Sequence, residues 1–193
     1  MIAYKGFEPG LVCRGYQFAM GLNMTDKANC AANGFHCAEN PLDCLTYYPD
    51  MERSEYYLVD AGGDVDEDAS DTKIACTELT ILHRLSRTDF FLHALAYMVD
   101  HPKRQWNHRV QSETGIAQRG YAVVRGMAPR ACGEIGAVLA LAKEEPHSGV
   151  ITQIGLAEVD GVKLRPGQWY DINFNECEVI LPCEKKSWQN CAY

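Results

Sequence analysis

Small residues dominate the stretch from Thr114 to Ala142, and they restrict what this chain can build more than any other feature. Glycine stands at Gly115, Gly120, Gly126, Gly133 and Gly136, with alanine between them at Ala117, Ala122, Ala128, Ala131 and Ala137. Residues without bulk let backbones approach closely and interrupt long regular elements. Their recurrence every few positions suits short stacked strands, as in a compact β-roll or a β-helix turn. The irregular spacing limits such a stack to one or two coils. A Gly-rich helix followed by a loop is the competing reading. Arg119, Arg125 and Arg130 recur within the same stretch and could line one face.

The preceding residues read as a different kind of structure. "IAYKGF" (2–7) and "LVCRGYQF" (11–18) alternate as two short strands around the turn "EPG", with Gly6 and Gly15 as bulges or points of close approach. Residues 22–32 read as a loop and "GFHC" as another short strand. A helix then starts sharply: Asn40 is a good N-cap, Pro41 suits the first helical position, and Asp43 complements the positive helix end. Pro49 stops it. "RSEYYLVDA" (53–61) is expected as a strand, "GGDVDEDASD" as an acidic surface loop, and "TKIACTELTILHRL" (72–85) as a β-branched strand. "TDFFLHALAYMVDH" carries a helical apolar stripe through Phe91, Leu95 and Met98, with Thr88 as candidate N-cap.

Beyond the small-residue stretch, "GVITQIGLAEVD" and "VKL" flank Asp160-Gly161, which reads as a type I′ hairpin turn. "QWYDINF" and "ECEVILP" follow as strands, and Cys183 and Cys191 fall in a polar tail. The expected fold class is α+β. A small mixed sheet over residues 1–101 is covered by two helices. A connector (102–113) leads to a Gly/Ala-rich, mainly β region (114–193) with a possible short β-roll and a terminal hairpin.

Charge and cysteine usage narrow the function. The net charge is −8, and the densest basic runs are only Lys103-Arg104 and Lys185-Lys186. Phosphate-backbone binding needs clustered cations, so general nucleic-acid binding is not expected. The N-terminus shows no signal peptide, and no run approaches the ~18 apolar residues of a membrane span. Nine cysteines without a secretion signal are expected as mostly buried thiols in a reducing cytosol. No metal is expected: Cys30, Cys37 and Cys44, with His36 beside them, lack the paired knuckle that aims two sulfurs at one ion. Asp64, Asp66 and Asp68 start like a calcium loop, but Ala69 and Ala75 stand where glycine and glutamate are required. No phosphate-cradling or dinucleotide glycine motif is present.

Two resemblances bear on function. The strand "AYKG", then "GFHC" and a short helix ending in Tyr-Tyr, with "NECEVILP" near the C-terminus, is similar to ADP-ribosyltransferases. That likeness implies NAD as cofactor, with Lys5, Glu176 and Glu178 as catalytic candidates. Lys5 stands where that superfamily carries Arg or His. More closely, "AYKGF", "LVCRGYQF", "NGFHCAENPLD", "YYP" and "DTKIAC" resemble an uncharacterised family of bacteriophage and prophage proteins. The resemblance implies a non-enzymatic accessory protein, without cofactor, in the host bacterial cytoplasm. It would bind a host protein or a small nucleotide, for example to counter host defence. The expected ligand-binding residues are Lys5, Arg14, Gln17, Phe35, His36, Asn40 and Tyr48. For Phe35 and Asn40 the competing roles are core packing and helix capping. A structural role through assembly into oligomers is a further reading.

Overall fold

The computed structural model describes residues 1–29, 33–67 and 72–179. The first half builds strands β1 (Ile2–Phe7), β2 (Val12–Cys13), β3 (Tyr16–Gln17), β4 (Gly21–Met24), β5 (Phe35–Ala38), β6 (Glu55–Glu67) and β7 (Lys73–Arg84). Helix α1 (Pro41–Tyr47) falls between β5 and β6. Every pairing in this main sheet is antiparallel, in the order β4-β7-β5-β1-β6, and β6 returns to pair with β7. The sheet therefore closes on itself as a small barrel. Strand alternation fills it: Ala3 and Phe7, Phe35 and Cys37, Val59 and Ala61, and Ile74 and Cys76 form one buried cluster. Tyr4, Ala38 and Tyr56, of opposite parity, join another.

Helix α2 (Arg87–Asp100) leads into the second sheet, made of β8 (Val110–Ile116), β9 (Tyr121–Cys132), β10 (Val138–Glu144), β11 (Ile151–Glu158), β12 (Trp169–Tyr170) and β13 (Glu176–Cys177). Strands β8, β9 and β10 run parallel, so Val110 lies beside Val123, and Val123 beside Ala140. Only short segments separate these parallel strands, and the small residues make that return possible. A Cβ on Gly133 would lie 2.8 Å from the Ala137 Cβ and 2.9 Å from the Ala117 Cβ. Both faces of β9 and β10 are buried. Tyr121, Val123, Val138 and Ala140 face the helices. Ala122, Val124, Leu139 and Leu141 face Val159, Leu164 and Tyr170.

The helices occupy the space between the two sheets. Asn40 accepts the Leu42 amide at 3.0 Å and Pro41 opens α1, as those residue types dictate. Ser86 and Asp89 form a reciprocal capping box for α2. Leu42 and Leu45 of α1, and Phe90, Phe91, Ala94, Leu95 and Met98 of α2, share one core with residues of both sheets. No helix among the described residues is long and apolar enough to cross a membrane.

The α+β expectation is overturned. Thirteen strands stand against two helices among the described residues. The N-terminal sheet is wholly antiparallel, and the mixed sheet is the C-terminal one. The helices are an inner layer, because β9 and β10 present a second apolar face that receives them.

Local expectations also shift. "LVCRGYQF" is two strands around a two-residue turn, with positive φ at both Arg14 (49°) and Gly15 (78°), as a type I′ hairpin requires. Residues 21–24 pair with β7. The acidic segment continues β6 through Glu67, across a register shift after Gly62; there a Cβ on Gly63 would lie 2.1 Å from the Thr77 hydroxyl. Asp160-Gly161 turns no hairpin. The Asp160 carboxylate instead accepts the amides of Val162, Lys163 and Leu164 within 3.0 Å, folding a loop. In the described part of "ECEVILP", residues 176–179, the strand is Glu176–Cys177. Cys30, Asp68, Ala69, Cys183 and Cys191 lie outside the described residues.

Candidate functional site

A break in the barrel creates the site. Strands β1 and β5 are in register at Tyr4↔Ala38, while β5 pairs with β7 along its whole length. Beyond that one match β1 and β5 part, and Lys5 spans the gap. Its ammonium donates to the His36 carbonyl at 2.6 Å and lies 3.6 Å from the Cys13 sulfur. The same ammonium stands 5.1 Å from the Phe7 ring centroid and 5.2 Å from that of Phe18. Lys5 is only 3% exposed. A buried cation is costly unless its charge is met, and carbonyl and ring contacts meet it only in part.

A cavity of about 270 Å³ opens over this gap, with Lys5, Arg14, His36 and Tyr48 on its walls. Arg14 reaches it from the β2–β3 turn and Lys73 from β7, next to Ala38. Tyr48 lies flat across β1 because residue 6 is glycine: a Cβ there would come 2.5 Å from the tyrosine Cδ2. Its hydroxyl donates to the Cys13 sulfur at 3.1 Å, and its carbonyl accepts from the Tyr56 hydroxyl at 2.5 Å. Burial, then the bond to Cys13, pushes the Tyr48 phenol up from its ordinary range, so it stays protonated.

The electrostatic balance of the cavity is positive. Among the described residues neither Lys5 nor Arg14 forms an ion pair. The carboxylate on the wall, Asp43, is engaged elsewhere: it accepts from the Thr72 hydroxyl at 2.6 Å and from the Asn107 amide at 2.5 Å. His36 is held below its ordinary pKa, first by burial and then by the Lys5 charge, with Lys73 and Arg14 adding to it and a hydrogen bond with the Asn29 backbone opposing. Its Nε2 is buried without a partner among the described residues. Cys44 is pushed up to about 12, chiefly by burial, and remains a thiol.

His36 sets one pH dependence. Its folded pKa lies below the unfolded value of about 6.5, so the unfolded chain binds the proton first as pH falls. Stability is then full above pH ~6.5 and declines as pH drops through the folded value. Urea denaturation at pH 7.5 and 5.5 should show a smaller loss in His36→Gln than in the parent chain. An equal loss would mean that other groups set the acid limb.

Of the residues expected from sequence, Lys5, Arg14, His36 and Tyr48 line one cavity, and Gln17, Phe35 and Asn40 do not. Gln17 braces the β2–β3 hairpin through the carbonyls of Gly10 and Phe18. Phe35 fills the barrel core, and Asn40 caps α1. Glu176 pairs with Arg165 on the second sheet, and the Glu178 carbonyl accepts from Arg130. Neither glutamate lines the cavity that holds Lys5. Sequence reasoning passed over Cys13, Tyr47 and Lys73 on the same walls, and weighed Asp43 only as a helix-end charge and Cys44 only as a metal ligand. The hairpin signal Arg14-Gly15 could have placed Cys13, whereas Lys73 arrives through long-range strand pairing. No group of three or more His, Cys, Asp or Glu side chains suited to a metal ion occurs among the described residues.

Residues 1–93 match a family described as a domain of unknown function (DUF7666). That segment contains every residue lining the cavity and ends within α2, before the second sheet. No curated protein and no solved structure matches the chain.

Proposed function

We propose that this chain is a non-enzymatic binding protein whose cavity takes a small anionic ligand of the nucleotide class. One observation carries the reading: the Lys5 ammonium, 3% exposed, faces the cavity with no carboxylate partner among the described residues. A phosphate would supply the missing counter-charge, with Arg14 offering a planar fork at the rim. Tyr47 and Tyr48 supply aromatic surface for a base, and a base stacked on an aromatic ring gains about 1–3 kcal/mol. At about 270 Å³ the cavity lies just under the usual range of roughly 300–1,000 Å³ for drug-sized ligands. A mononucleotide fits that size better than a dinucleotide such as NAD.

Thermal denaturation with a panel of nucleoside mono-, di- and triphosphates tests this. A ligand at a hundred times its Kd adds about 2.7 kcal/mol, or roughly 5–10 °C for a chain of this length. Lys5→Met should remove the shift, while Glu176→Gln should leave it intact. If no nucleotide at millimolar concentration moves the transition, the proposal fails.

A further inference from the structure

The six cysteines among the described residues are not equivalent. Cys37, Cys44, Cys76 and Cys132 are buried, while Cys13 and Cys177 are half-exposed. Of the half-exposed two, Cys13 lines the cavity. Its sulfur accepts the Tyr48 hydroxyl at 3.1 Å and lies 3.6 Å from the Lys5 ammonium. The next residue, Arg14, lines the same cavity. The other thiols on these walls are of a different kind. Cys44 is pushed up to about 12, chiefly by burial. Cys37 is held well above its ordinary value, first by its hydrogen bond to Cys76 and then by burial. Buried thiols of that kind are inert, whereas reactive ones sit partly exposed in electropositive surroundings.

We propose that Cys13 is a covalent modification site, at which its sulfur exchanges with an anionic low-molecular-weight disulfide of the glutathione class. The inference rests on the reading of the cavity as anion-accepting. The attacking species in such an exchange is a thiolate. Negative charge on the Cys13 sulfur is met by two donors already aimed at it, the Lys5 ammonium and the Tyr48 hydroxyl. The sulfur attacks one sulfur of the incoming disulfide. A new S–S bond forms as the old one breaks, and its electron pair leaves on the departing sulfur, which takes a proton from water. One disulfide is consumed and one is made, so no further oxidant enters. Only the half that stays on Cys13 enters the cavity, where Arg14 and Lys5 on the walls draw its carboxylates, while the departing half remains outside; this selects the disulfide by charge.

The test uses the full chain, reduced and then exposed separately to glutathione disulfide, to neutral hydroxyethyl disulfide and to cationic cystamine. Mass spectrometry follows the peptide that contains Cys13. The adduct should form on Cys13 about tenfold faster from the anionic disulfide than from the cationic one, the scale of cleft electrostatics. Arg14→Gln, at an exposed turn, should bring the rates closer together, and Lys5→Met should do so more strongly. Where Lys5→Met fails to fold, Arg14→Gln carries the comparison. No adduct on Cys13, or equal rates from all three reagents, overturns the proposal. A nucleotide-induced thermal shift without a charge-selective adduct sinks this site alone. A charge-selective adduct without any nucleotide shift sinks the nucleotide reading and leaves this one standing.

Discussion

Replacing Arg125 by methionine is expected to cost about 3–5 kcal/mol, because it leaves one partner of a buried ion pair alone. Arg125 is 3% exposed. Its Nε donates to Glu144 at 2.8 Å, and one terminal nitrogen donates to the carbonyls of Pro102 at 2.8 Å and Gly149 at 2.7 Å. The guanidinium also lies 4.7 Å from the Trp106 ring centroid. One side chain thus ties the segment after α2 and the turn before β11 to the centre of the second sheet. The methionine variant strands the Glu144 carboxylate and removes the donor of two carbonyls. Lysine retains the charge but not the fork, so Arg125→Lys should fall between the two. At roughly 2–4 °C per kcal/mol the methionine variant should melt about 6–20 °C lower. A loss under about 1 kcal/mol in urea denaturation would show that the pair behaves like a surface contact.

The elements legible in the sequence are those whose signal is local. Asn40, Pro41 and Asp43 specify α1 within four residues, and the first turn forms as they require. The parity of Val123, Val124, Leu139 and Leu141 shows two buried faces only when both receiving surfaces are known, and those come from distant segments. The amphipathic stripe of α2 was legible, but its partner was not. A stripe says that a face is buried, not against what. Asp160-Gly161 misled because a carboxylate that collects three amides competes with the hairpin the dipeptide favours. The candidate site shows the same division. Lys5, Arg14, His36 and Tyr48 lie in short neighbouring segments whose unusual polar residues drew attention. Lys73 reaches the wall only because β7 pairs with β5, and the parting of β1 from β5 leaves no trace in composition.

That dependence on distant partners is sharpest at Phe91, whose replacement by alanine is expected to cost about 3–5 kcal/mol. Phe91 is fully buried, with its ring 5.3 Å from Phe90 and 4.8 Å from Tyr121 between centroids. The cluster around it joins Tyr4 and Ala38 of the barrel to Val123, Val138 and Ala140 of the second sheet. Removing the ring opens a cavity beside Tyr121 of the second sheet and beside Phe90, whose own ring lies 4.6 Å from that of Tyr56 in the barrel, so the loss reaches both halves. Intrinsic fluorescence and far-ultraviolet dichroism should therefore report one coincident transition in parent and variant, displaced to lower urea in the variant with an unchanged slope. Two separated transitions, with only one displaced, would mean that the barrel and the second sheet unfold independently. The small-residue strands would then stabilise themselves without the helices. With a single transition, a ligand held at Lys5 stabilises the second sheet as well, and Phe91→Ala should lower the melting temperature of free and ligand-bound protein by similar amounts.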